Sequence, residues 1–96
     1  MRYLVEFYLP NSGCDLAEIA GRAEAGARRA AARATGRGSA VSFLSAIYLA
    51  EDESCLAIYE AGSPDLVRAA GALAGLDFDH VAEISVCVAD PGEISA

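Results

Sequence analysis

Residues 40–61 read AVSFLSAIYLA, then EDE, then SCLAIYEA: two apolar runs of strand length held apart by an acidic connection. Branched and aromatic side chains favour extended backbone, and a short polar link between two such runs marks a β-hairpin. Its flanks constrain the fold further. Upstream, Leu16, Ile19, Ala20, Ala23, Ala27, Ala30 and Ala34 recur at helical spacing behind a capping Asp15, with Gly36 and Gly38 as the stop. Downstream, Ser63 caps a second helix, Pro64 takes its first position, Asp65 complements the dipole and Gly75 ends it. Leu66, Val67, Ala70, Leu73 and Ala74 form the apolar face of that helix.

Residues 2–9, RYLVEFYL, and residues 81–89 are the first and last strands, ended by Pro10-Asn11-Ser12-Gly13 and Asp90-Pro91-Gly92. The order is strand, helix, strand, strand, helix, strand. Right-handed crossovers are read as making the first and third strands parallel neighbours, with sheet order 4-1-3-2. The fold class is α+β, a ferredoxin-like βαββαβ sandwich on an antiparallel four-stranded sheet. It forms one domain over residues 1–89, with a short C-terminal tail over 90–96.

Two helices cover one face of such a sheet, so the other should turn polar if it meets water. It does not. In the second strand Val41, Phe43, Ile47 and Leu49 are read on one face and Leu44, Ala46 and Tyr48 on the other; in the fourth, Val81 opposes Ile84, Val86 and Val88. Such a face exceeds the roughly few hundred Å² of contiguous apolar surface that a monomer leaves bare. The expected remedy is a homodimer with sheets face to face, a dimeric α/β barrel enclosing a pocket.

A formal net charge of −7 opposes binding to nucleic acid or anionic membrane surfaces. Arg22, Arg28, Arg29, Arg33 and Arg37 fall on the first helix and its exit, where Glu18–Arg22 and Glu24–Arg28 pair at i,i+4 as a solvated face. Cys14, Cys55 and Cys87 are odd in number and lack C-x-x-C spacing, so neither a disulfide framework nor a thiolate zinc site is signalled. Cys55 and Cys87 read as small buried hydrophobes and Cys14 as the candidate reactive thiol. With no leader pattern at Met1 and no long apolar run, the expected location is cytoplasmic.

The stretches YLVEFYLP at 3–10 and EDESCLAIYEAGSPDLVRAAGALAGLDFDHVAE at 51–83 resemble the DUF4242 family of small bacterial proteins, related to nickel-binding ferredoxin-like proteins. The resemblance implies a dimeric ferredoxin-like α/β barrel. Histidine-rich relatives bind nickel. This chain has only His80, and carries Phe7, Tyr8, Leu76 and Ala82 where such a relative would offer imidazoles.

With the first and third strands parallel, Glu6 and Glu60 would share one sheet end, joined by His80 and Glu83 from the start of the fourth strand. Glu60, Glu6 and His80 are then the catalytic candidates; Glu6, Glu60, Glu83 and His80 the candidate ligands of a divalent metal; and Tyr8, Tyr48, Tyr59 and Glu83 the candidate ligand-binding residues. Neighbouring carboxylates in a partly apolar pocket titrate high or hold a cation. Glu60 equally suits the helix start at Ser63, His80 a surface position, and Glu51-Asp52-Glu53 a solvating turn. No Ser/His/Asp set or phosphate loop is present.

Two functions are expected. One is a non-catalytic dimeric binding protein holding a small apolar molecule or divalent metal between its sheets. The other is a cofactor-free enzyme of monooxygenase, isomerase or cyclase type, by analogy of fold. A third possibility is that the open face docks a different protein.

Overall fold

The structure, a computed structural model, describes residues 1–10, 15–34 and 40–85. Its elements are β1 (Arg2–Tyr8), α1 (Leu16–Arg33), β2 (Val41–Leu49), a short 3-10 turn (Ala50–Asp52), β3 (Ser54–Ala61), α2 (Pro64–Ala74) and β4 (His80–Ile84). One four-stranded sheet in the order β2-β3-β1-β4 has every neighbouring pair antiparallel, and both helices lie on one face. This is the expected ferredoxin-like α+β architecture. Residues 86–89 of the expected last strand, the tail 90–96, Cys14, Cys87, Gly36, Arg37 and Gly38 lie outside the described residues.

Local chemistry sets the boundaries as read. The Asp15 side chain accepts from the Ala17 N–H, and Ser63 Oγ from the Leu66 N–H at 3.4 Å, so each helix begins on a capped donor. Gly75 closes α2 at φ 72°, a left-handed conformation that glycine adopts without a Cβ penalty. Beneath the helices, Val5, Cys55, Tyr59, Val67 and Ala70 are wholly buried. The helices themselves meet closely at Gly26, where a Cβ would lie 2.5 Å from the Ala70 carbonyl oxygen.

Three expectations are corrected. First, β1 and β3 are antiparallel, with Arg2 opposite Glu60 and Glu6 opposite Leu56. The crossover through α1 makes β1 parallel to β2, which is not its neighbour; the hairpin then reverses the chain, so β3 opposes both. Second, the register of β2 slips between Phe43 and Ser45. An extra residue in one strand shifts the phase beyond it. Val41 and Phe43, and after the slip Ala46 and Tyr48, face the helices, while Ile47 and Leu49 face away. Third, Arg22 does not pair with Glu18. Its guanidinium donates to the carbonyls of Ala74 at 3.1 Å and Gly75 at 3.0 Å, closing the end of α2, whereas Glu24 and Arg28 pair as expected at 2.7 Å.

Candidate functional site

Strand alternation assigns the sheet face turned away from the helices. On β1 it carries Arg2, Leu4, Glu6 and Tyr8; register places Leu56, Ile58 and Glu60 beside them on β3, and His80, Ala82 and Ile84 on β4. Ile47 and Leu49 extend the face onto β2, and with Leu44 at the slip they are among the exposed large hydrophobics, at 52%, 41% and 45%. The middle of this surface is aliphatic.

Its polar groups sit at opposite ends. At one, Arg2 Nε lies 3.8 Å from Glu60 Oε2, with both side chains about half exposed. At the other, Glu6 faces His80 across the β1–β4 pair, and the Tyr8 hydroxyl donates to Glu53 Oε2 at 3.4 Å. The expected meeting of Glu6, Glu60, Glu83 and His80 therefore does not occur. Glu60 is at the far end because β3 runs against β1. Glu83 is opposite Tyr3 and shares the helix-side face. Of the set, only Glu6 and His80 are brought together.

Among the described residues no group of three or more His, Cys, Asp or Glu side chains is arranged to hold a metal ion. The four candidate metal ligands Glu6, Glu60, Glu83 and His80 are thus not brought together within a single chain, and nickel finds one imidazole where it favours several.

The tyrosines divide in the same way. Tyr8 is on the open face, 62% exposed. Tyr48 points to the helix side, its hydroxyl donating to the Leu9 carbonyl at 2.9 Å. Tyr59 is wholly buried beneath the helices between Phe43 and Phe78, with ring centroids 5.6 and 5.8 Å away. Among the described residues its hydroxyl has no hydrogen-bond partner, and burial first, then the neighbouring Cys55 thiol, pushes its pKa far up. Burial likewise raises the Cys55 thiol, making it an inert core residue.

Sequence reasoning missed a cleft of about 320 Å³ where Phe7, Leu9 and Ile19 meet Arg22, Leu76, Asp77 and Asp79. Its signal was the helix stop at Gly75, which brings the loop 76–79 back past Arg22.

No helix among the described residues is long and apolar enough to cross a membrane. No family model matches the chain, and no curated protein does. Among solved structures, the chain is similar to SCO4226 from Streptomyces coelicolor A3(2), known from a crystal structure, at 13% sequence identity and a TM-score of 0.72. The match covers 92% of this chain and 100% of that one. At this identity the likeness is one of fold.

Proposed function

We propose that the protein is a small non-catalytic binding protein, working as a homodimer whose open sheet faces pack together and hold a small apolar molecule between them. One observation carries the reading: all four strands turn aliphatic side chains away from the helices, namely Leu4, Ile47, Leu49, Leu56, Ile58 and Ile84. A second copy removes that surface from water at about 25 cal/mol per Å², offset in part by the cost of association. The resemblance to DUF4242 proteins supports the same dimeric barrel. An apolar ligand is favoured over a metal because the carboxylates lie at opposite ends of the face. Placement in the cytoplasm rests on an odd number of cysteines without C-x-x-C spacing.

The test is a thermal-shift screen of the purified chain against hydrophobic metabolites and divalent metals. An apolar ligand at 100 times its Kd should add about 2.7 kcal/mol of stability. A screen in which only metals raise the melting temperature would replace the apolar ligand by a cation; one in which nothing does would remove the binding function.

One observation favours a second reading. Glu6 and His80 are cross-strand neighbours at the rim of the aliphatic surface, a carboxylate–imidazole pair able to move a proton in a cofactor-free reaction. Turnover of an apolar substrate that disappears in Glu6→Gln would favour the enzyme; saturable binding without turnover favours the binding protein.

A further inference from the structure

The proposed dimer, on which this inference rests, can be built with the two sets of strands running the same way or opposed, and the charges along β1 distinguish the two. β1 lies between β3 and β4, so it crosses the middle of the sheet. Its open-face positions run Arg2, Leu4, Glu6, Tyr8, placing a cation and an anion at equal distances either side of Leu4. Arg2 makes one long contact, 3.8 Å to a half-exposed Glu60. Among the described residues the Glu6 side chain makes no ion pair, and its register neighbours are Leu56 and His80.

In a free chain Glu6 is solvated. Beneath a second sheet it is not, and a carboxylate taken from water without a partner costs several kcal/mol. Two packings are symmetric about β1. With the two-fold axis along the strand, Glu6 meets Glu6 of the partner subunit and Arg2 meets Arg2 of the partner subunit. With the axis across the strand at Leu4, each Arg2 meets Glu6 of the partner subunit, twice. With −7 per chain already opposing association, the first packing adds like-charge repulsion at both ends of the aliphatic surface.

We infer that two copies associate with their β1 strands opposed about Leu4, so that reciprocal Arg2–Glu6 pairs fix the orientation of the sheets. The aliphatic surface supplies attraction in either packing; the pairs select one.

Sedimentation equilibrium on the full chain tests this. Arg2→Glu and Glu6→Arg should each weaken the wild-type dimer by about 30-fold or more, the lower end for disrupting a buried charge pair. The double variant exchanges the charges and should restore the dimer to near wild type, with circular dichroism reporting that each chain folds. A neutral set guards against repulsion within the chain. Arg2→Gln and Glu6→Gln should each weaken the dimer, and their combination should do little more than either alone. A double exchange no tighter than the single variants, or fully additive neutral losses, overturns the orientation while leaving the dimer standing. A wild-type chain that is monomeric overturns both the dimer and its orientation.

Discussion

Along β1 and β3, residues that follow one another in the chain meet opposite environments. Val5, Cys55 and Tyr59 are wholly buried under α1 and α2, while Leu4, Leu56 and Ile58, one position away, are half-buried on a face that no helix among the described residues covers. Both sets are apolar. A sheet meeting water on one side ordinarily alternates to polar, so the contrast separates what the chain needs in order to fold from what it has left for association. The covered face sets monomer stability. On the proposed reading, the open face, whose aliphatic residues stay partly exposed in a single chain, sets assembly.

That comparison breaks most readily on the covered side. Tyr59→Ala should cost about 3–5 kcal/mol in denaturant unfolding, because the ring fills the space between Phe43 and Phe78; a loss below about 1 kcal/mol would mean the aromatic cluster is not the core it resembles. Gly26→Ala should cost about 1–3 kcal/mol by the same measurement, since the new methyl meets the backbone of α2 and the helices must separate.

Smaller and opposite in sign is Tyr59→Phe. It removes a buried hydroxyl that has no partner among the described residues and should leave stability unchanged or raise it by up to about 1 kcal/mol. The same group shapes the alkaline limb. Burial raises the Tyr59 phenol above its ordinary 10.0 and the Cys55 thiol above its ordinary 9.0, so both stay neutral in the fold while the unfolded chain ionises. Their contribution is complete below pH 9 and lost as pH rises, from about 9 for Cys55 and from about 10 for Tyr59, at up to about 1.4 kcal/mol per pH unit for each. Denaturation midpoints measured from pH 8 to 11 should fall, less steeply above pH 10 in Tyr59→Phe; parallel curves would contradict the assignment.

Much of this was legible in the residues. Asp15, Ser63, Pro64 and Gly75 each carry a local instruction that their neighbours suffice to execute, and both helices start where those residues direct. The site was less so, because it depends on direction and phase. Glu6 and Glu60 were placed together on parallel strands, whereas the crossover followed by a hairpin opposes them. The side-chain alternation of β2 reads cleanly up to Phe43, and no residue type announces the slip after it that exchanges Ile47 and Leu49 with Ala46 and Tyr48. Arg22 suited Glu18 by spacing within its helix; its actual partners, the carbonyls at the end of α2, are far away in sequence. Local signals survive the move to three dimensions, and pairings set by topology do not.

Sedimentation velocity at micromolar concentration probes the open face most directly. The wild-type chain, 9.9 kDa, should run at about twice that mass, and Ile58→Lys, which puts a charge on the aliphatic surface without touching the core, should return it to a single chain with an unchanged circular dichroism spectrum. A wild-type chain that sediments as a 9.9 kDa particle would contradict the account.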